Sequence, residues 1–275
     1  MSLISDRAIA GSDVCRGLEE NLWSLWSRFG RGEGCCLHDE HGAVWFDTPI
    51  PTLPYNAVIC FSAEHDVDRR IDALFAHYRR RGVPFLWIVH PSARPFDLPE
   101  RLRARGMEEA EICPGMAMNL DDLPAQRALP DGIEISEVND ETGAGRLLEL
   151  VGWRWAVPQE ALPVLAGVTR AFGVGVPGSS VRSWLAWRGG VPVAKALLHL
   201  AAGVAGLYGV VTRPEARGLG LARSLTIHAF SVARREGYAT GVLHSTPMAR
   251  GLYEKIGCRA YADFRIFAPP RTLHL

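Results

Sequence analysis

The chain has 275 residues, 48% of them apolar and 22% charged, the balance of a globular protein with room for one large domain or two ordinary ones. Thirty basic and thirty acidic residues cancel, so no whole-molecule field points to nucleic acid or an anionic membrane, and any anion site must be local. There is no apolar run of about eighteen residues, and the polar start MSLISDRAIAGSD lacks a signal core, so a cytoplasmic protein without membrane contact is expected.

The six cysteines, at 15, 35, 36, 60, 113 and 258, include no C-x-x-C pair, and Cys35 and Cys36 are adjacent on an expected strand, facing opposite ways. Reduced, packed thiols are expected, with no disulfide framework and no metal. Leu18, Leu22, Leu25, Trp26 and Phe29 mark an amphipathic helix ending near Gly30. Cys35 to His38 and Ala43 to Phe46 flank the turn D-E-H-G, a hairpin signal, and the Pro-rich loop TPIPTLP leads to the apolar run Ala57 to Phe61. Val67, Ile71, Leu74, Phe75 and Tyr78 form a helical stripe closed by Arg79, Arg80, Arg81 and Gly82, and the basic triplet suits a helix C-terminus better than a nucleic-acid patch. Phe85 to Val89 is a short buried strand, Leu98 to Arg105 a short helix before Gly106, and LDDLPAQRALPD, from Leu120 to Asp131, a linker.

Ile133 to Val138 is the next strand, with a helix following to about Gly152. Trp153 and Trp155 come just beyond it, before a helix starting near Pro158. Large aromatics are buried on average, so core is the favoured reading of both. GVGVPGSS is a turn-rich loop, and Trp184 to Trp187 and Val191 to Leu200 are strands about R-G-G. Leu207 to Thr212 is a strand that Pro214 stops, and Leu221, Leu225, Ala229 and Val232 recur at helical spacing up to Arg234, Arg235 and Gly237. Arg217, Gly218 and Gly220 therefore fall at a helix N-terminus, where unpaired N–H groups and the helix dipole favour an anion such as a pyrophosphate. Two glycines alone would favour an ordinary strand-to-helix turn. No Lys-Ser or Lys-Thr follows, and G-x-G-x-x-G is not completed, which excludes the P-loop and the dinucleotide fingerprint.

The stretch V-T-R-P-E-A-R-G-L-G-L-A resembles the R/Q-x-x-G-x-G/A signature of the GNAT acyltransferase superfamily, with Arg217, Gly220 and Ala222 at its named positions. ARGLYEKIGCR, from Ala249, resembles the family's late helix, in which a tyrosine, here Tyr253, stands four residues before a closing glycine, here Gly257. The resemblance covers about residues 130 to 268. It implies an α+β fold, as two tandem GNAT-like domains, each a mixed, mostly antiparallel sheet flanked by helices. It also implies acetyl-CoA as acyl donor, held by Val210, Val211 and Thr212 at the strand end and by Arg217, Gly218, Leu219, Gly220, Leu221, Ala222 and Arg223 at the turn. In the family the strand before this turn bulges and its amides face the thioester, which would be those of Val210 and Val211, and Tyr253 would protonate the departing thiolate. The expected acceptor is an amine of a small molecule or peptide. The general base is left open. The glutamate often found on that strand has no counterpart at Gly206, Tyr208 or Gly209, and His199 and His244 are favoured as structural, so ordered water is an alternative.

Two segments of the chain run parallel. HYRRRGVPFLWIVHPSARPFDLPERLRARGM, from His77, matches VARREGYATGVLHSTPMARGLYEKIGC, from Val232, in its order of basic helix end, glycine, apolar strand closing in histidine, proline turn, short helix and glycine. Residues 1–125 are therefore read as a degenerate copy and residues 126–275 as the intact one. The first copy has F-S-A-E-H-D-V-D at the phosphate turn and Leu102 in place of Tyr253. Two other functions stay open: a non-catalytic acetyl-CoA sensor or partner-binding protein, and transfer of a longer acyl group, with Trp184 and Trp187 as candidates to close its pocket. Oligomeric state is left open.

Overall fold

The structure, a computed structural model, describes residues 11–270; the polar start at 1–10 and residues 271–275 lie outside the described residues. Helix α1 (Gly11–Trp26) runs into a 3-10 turn at Ser27–Arg31. Strands β1 (Cys36–Glu40) and β2 (Ala43–Asp47) follow, joined by His41 and Gly42, both at positive φ. Next come β3 (Ala57–Phe61), α2 (Val67–Arg81), β4 (Leu86–Val89), α3 (Leu98–Arg103) and the long β5 (Glu108–Asn119). After the segment 120–132 the chain forms β6 (Ile133–Glu137), α4 (Glu141–Arg154), α5 (Leu162–Ala171), β7 (Val181–Arg188), β8 (Val191–Ala201) and β9 (Val204–Thr212). It closes with α6 (Leu221–Arg235), β10 (Thr240–His244), α7 (Arg250–Ile256) and β11 (Arg259–Ala268).

One element differs from its sequence reading. Helix α4 runs through Gly152 to Arg154, which puts Trp153 in its last turn. Gly152 serves close packing there, because Leu162 Cδ2 lies 3.2 Å from where a Cβ would stand, and the left-handed turn falls later, on Ala156.

The eleven strands of the described residues form one sheet, in the order β1-β2-β3-β4-β11-β5-β10-β9-β8-β7-β6. The fold is α+β and the sheet mostly antiparallel; β3–β4 and β10–β9 are its parallel pairs. Each parallel pair is bridged by a 15-residue helix, α2 or α6, that starts after a residue in the left-handed conformation, Asp66 (φ 52) or Gly220 (φ 75). The strands that come next are exchanged. β5 follows β4 in the chain yet pairs with β10, and β11 follows β10 yet pairs with β4. Between them β5 and β11 share a long antiparallel ladder, from Arg259↔Ala117 to Ala268↔Glu108. The sheet has a near-palindromic centre, the arrangement a duplicated unit makes when its halves swap a strand.

Helix α1 packs over this centre. Leu18 and Leu22 join Ile88, Ala117, Val242 and Phe264 in one buried cluster drawn from both halves. Asn21, fully buried, donates through Nδ2 to the carbonyls of His199 (3.2 Å) and Ala201 (2.9 Å) and accepts from the Tyr208 hydroxyl (2.8 Å). Gly206 permits this approach, since a Cβ there would stand 2.0 Å from Asn21 Oδ1.

A chain cut between residues 125 and 126 leaves β10 and β4 each short of one neighbour, and β5 and β11 with none from their own half. Unpaired strand edges and the apolar faces beside them favour aggregation. The halves are expected to be insoluble when expressed singly and to co-purify as one folded species when expressed together, as read by affinity capture and circular dichroism. A soluble, folded monomer of either half alone would show that the exchange is dispensable.

Candidate functional site

Strand β9 outruns its parallel neighbour. The β9–β10 ladder stops at Leu207↔Leu243, and β9 continues to Thr212 with no partner on that side. In this open stretch the register with β8 slips. Lys195 faces Val211 and Leu197 faces Tyr208, so Gly209 and Val210 together stand opposite Ala196. This is a β-bulge, with Gly209 at φ 52, and a bulge frees a backbone group from its ladder. Val211 is buried, Val210 and Thr212 half-buried.

A 3-10 turn at Pro214–Ala216 then redirects the chain to α6. Gly218 (φ 79) and Gly220 (φ 75) both take the left-handed conformation, and no heavy atom lies within 4 Å of where either Cβ would be. No side chain caps α6, so its leading N–H groups and the two left-handed glycines form a concavity suited to an anion. Arg217 is exposed beside it, Ala222 and Arg223 are half-buried on the first turn of α6, Leu219 packs against the core and Leu221 is 1% exposed. The two leucines therefore bring backbone to the turn, with their side chains committed to packing.

Two further arginines reach this region from outside the motif. Burial holds Arg154, in the last turn of α4, below its ordinary value, and the charge of Arg217 lowers it further. The Arg213 guanidinium lies 5.0 Å from the centre of the Trp153 ring, and its Nε is buried without a hydrogen-bond partner. Trp153 is 43% exposed under that cation, so it is not core as the sequence suggested. An orphaned guanidinium nitrogen, a cationic cluster and a glycine cradle open to solvent together fit the phosphates of a coenzyme A thioester. Arg154 and Arg213 were not legible as site residues, because Arg154 is distant in sequence and Arg213 precedes the motif's named positions.

On the inner side of the bulge is a cavity of about 180 Å³. Lys195, Leu197, Tyr208 and Gly209 form its floor, Trp155, Leu165 and Phe172 come from the α4–α5 region, and Trp26, Phe29 and Tyr55 come from the first half of the chain. Lys195, 6% exposed, is its one charged lining residue, and its Nζ donates to the Gly209 carbonyl at 2.7 Å. Burial, with a smaller contribution from Arg154, pushes this amine down to about 8. Burial also raises the Tyr55 and Tyr208 phenols, so both stay protonated. Trp184 and Trp187 do not line the cavity. Trp184 lies on the face of β7 opposite Leu185, whose cross-strand partner is Lys195, and it packs in the core with α6. The Trp187 indole N–H donates to Ser136 Oγ at 2.8 Å.

Tyr253, on α7, is 6% exposed and packs within the same core cluster as Met116, Ile256 and Cys258. Burial raises its phenol, with a smaller push from Cys258, and among the described residues no hydrogen bond uses its hydroxyl. It is therefore a protonated, uncommitted donor. His199 and His244 are pushed down to about 4 and about 3, each chiefly by burial, and stay neutral at physiological pH. His199 Nε2 is 3.0 Å from Ser24 Oγ, and His244 sits edge-on to Phe264 with neither ring nitrogen partnered.

The equivalent turn in the first half has the opposite chemistry. Glu64 and Asp66 are exposed at the start of α2, Asp68 on its first turn pairs with Arg101 and Arg105, and Leu102 is fully buried. Carboxylates stand where the second half has a glycine cradle.

Residues 149–258 match the family model described as the acetyltransferase (GNAT) family. A search of curated proteins found no match to the sequence. Among solved structures, the chain is similar to a GCN5-related N-acetyltransferase from Kribbella flavida, with a TM-score of 0.66 and 17% identity over 94% of this chain and 95% of that one. A GCN5-related N-acetyltransferase from Sphaerobacter thermophilus gives 0.60 at 18% identity, covering 82% and 80%. A tandem GNAT protein from the clavulanic acid biosynthesis pathway gives 0.58 at 15% identity, covering 94% and 95%. At these identities the likeness is one of fold.

Lys195 makes the site's chemistry measurable. Its ordinary value is 10.5 and its value in the folded protein about 8, so between those the unfolded chain binds more protons. The destabilisation is full below pH 8 and is relieved as pH rises to 10.5. Wild-type stability should gain on that of Lys195→Met across this window, by up to about 3 kcal/mol. Denaturant unfolding near pH 7 and near pH 10 tests this, and parallel behaviour of the two proteins would count against a perturbed Lys195.

Proposed function

We propose that the GNAT-family domain carried at residues 149–258 transfers an acetyl group from acetyl-CoA to an amine of a small molecule or peptide. The observation that carries this reading is the coincidence, within one turn of chain, of the β9 bulge, the open left-handed glycine pair and the uncapped start of α6. The phosphates would be held by the N–H groups of the Arg217 to Arg223 turn and by the Arg217 side chain, with Arg154 and Arg213 adding positive charge. Acetyl-CoA supplies an activated thioester acyl group. Val210 and Val211 would present backbone N–H to the acyl oxygen, where fixed donors favour developing negative charge. Tyr253, protonated at neutral pH, would give its proton to the leaving sulfur. Lys195, with a value near 8, has a substantial neutral fraction in mildly alkaline solution and is the candidate to take the proton that the acceptor amine must lose.

The domain boundary is proposed at 125/126, with the first unit retained for structure and for one wall of the substrate cavity. Trp26, Phe29 and Tyr55 supply that wall, and the acidic start of α2 makes coenzyme binding there unfavourable. The cavity also supports a second reading, transfer of a longer or aromatic acyl group, because its lining is almost wholly aromatic and aliphatic. Either way the group that enters it is apolar. A non-catalytic acetyl-CoA sensor would use the same turn without needing Tyr253 or Lys195.

Calorimetric titration with acetyl-CoA should show about one equivalent bound by the full chain and none by Gly220→Glu, which places bulk and negative charge in the cradle. Retained affinity in that variant would remove the turn from the binding site. Tyr253→Phe is expected to keep acetyl-CoA affinity and to lower CoA release on a panel of apolar amines by about 100-fold. Equal loss of both would make Tyr253 a binding residue, and unchanged turnover would exclude it as the acid.

A further inference from the structure

Among the described residues β1 is an edge of the sheet, and its pairing with β2 sets Cys36 opposite Asp47 and His38 opposite Trp45. Alternate residues share a face of a strand, so Cys36, His38 and Asp47 project on the same side. Helix α2 brings His77 to the group. His38 Nε2 lies 3.0 Å and His77 Nε2 2.9 Å from the same carboxylate oxygen, Asp47 Oδ2. Cys36, His38 and Asp47 can each offer one ligand atom such that all three lie within 4.8 Å of one another, a group that does not include His77, whose ring nitrogen is near Asp47 and would have to close on the other two. Asp47 is 1% exposed. Arg81 Nη2 is 2.8 Å from its other oxygen, Oδ1, an ion pair without hydrogen-bond alignment, since Oδ1 has no hydrogen-bond partner. His38 stacks on Trp45 with ring centres 4.7 Å apart and meets His77 at 5.3 Å and 76°, so both imidazoles have fixed orientations.

We propose that Cys36, His38, Asp47 and His77 form a binding site for a divalent transition metal of the zinc type. The group offers one sulfur, two imidazole nitrogens and one carboxylate oxygen, the donor set and number of a tetrahedral zinc site. A thiolate and imidazoles disfavour magnesium and calcium, which take oxygen. Bond lengths of about 2.0 to 2.3 Å around a tetrahedral zinc put neighbouring ligand atoms about 3.3 to 3.7 Å apart. The nitrogen-to-oxygen separations here need to open by a few tenths of an ångström, and the exposed Cys36 side chain has room to turn inward. Binding releases the Cys36 thiol proton to solvent, and the thiolate and carboxylate then balance the dication. Arg81 stays on Oδ1 as an outer partner that aims Oδ2 at the ion. The metal would pin the edge hairpin to α2, far in the strand order from the β9 bulge, and this inference does not rest on the transferase reading.

A cluster held by hydrogen bonds alone would need both imidazoles as Nε2–H donors and would have no use for Cys36, which makes the thiol the discriminating residue. The full-length protein, stripped by chelator, is titrated with Co²⁺ as a spectroscopic stand-in and then with Zn²⁺. The expected result is one equivalent of Co²⁺ with tetrahedral visible absorption and a thiolate-to-cobalt charge-transfer band, both lost on adding one equivalent of Zn²⁺. Cys36→Ser should lose the charge-transfer band, His77→Gln should bind Co²⁺ more than tenfold more weakly, and Cys35→Ser should match wild type. Circular dichroism confirms that each variant is folded. No saturable Co²⁺ binding by the wild type, a charge-transfer band that survives Cys36→Ser, or His77→Gln binding as tightly as wild type would overturn the proposal.

Discussion

The antiparallel ladder between β5 and β11 is the constraint on which the rest of the structure depends. Each strand belongs by chain order to one half and by pairing to the other, so neither half completes its sheet without the other. The ladder seals the centre where α1 lands, and α1 in turn fixes β8 and β9 through the buried Asn21. A buried amide with four hydrogen-bonding positions and close partners on two strands strongly resists any sliding of one strand past the other. The bulge and the cavity lie a few residues beyond this clamp, and both are set by it. The first half therefore contributes to the site's geometry even though it has no anion cradle of its own.

The two halves show how one backbone serves opposite chemistries. Asp66 and Gly220 hold the same left-handed position before helices of equal length. At Gly220 the missing side chain leaves open space over the helix start, and the neighbouring charges are arginines. Asp66 carries a side chain at that place and the neighbouring charges include carboxylates, of which Asp68 and Asp72 are engaged by Arg101 and Arg105. Field and access separate the copies, while the hydrogen-bonded frame is shared.

How much could be read from the sequence follows from how local each feature is. The strand, proline stop, glycine turn and amphipathic helix at Leu207 to Arg235 are encoded within one continuous stretch, and the structure places them together. The parallel order of elements in the two halves was also visible, because it is a matter of sequence. Strand exchange was not, since hydrophobic periodicity names a strand's buried face but not its neighbour. Nothing in its own stretch singles out Lys195; the Trp155, Phe172 and Tyr55 that line the cavity with it are distant in the chain. Trp184 and Trp187 were candidates to close an acyl pocket, and strand alternation puts Trp184 on the wrong face. Spacing searches likewise pass over Cys36, His38, Asp47 and His77, whose proximity is created by a hairpin register and a helix lying across it.

The position of Lys195 bears on what the cavity is for. An amine buried among aromatic and aliphatic side chains is destabilising wherever it is charged, and the single carbonyl of Gly209 offsets only part of that. A methionine would fill the same space without that penalty. The proposed transfer gives a lysine at this point a use, since a value near 8 would let the side chain take a proton in the range where an acceptor amine would lose one. Its hydrogen bond runs to the bulge residue itself, so on the proposed reading the amine and the backbone next to the acyl oxygen would be held by one contact. A side chain at Gly209 would displace this contact, since a Cβ there would stand 2.6 Å from the lysine Nζ, and the φ of 52 disfavours one in any case. Bulge, amine and cavity floor therefore form a single unit, and a change in any one of them alters the other two.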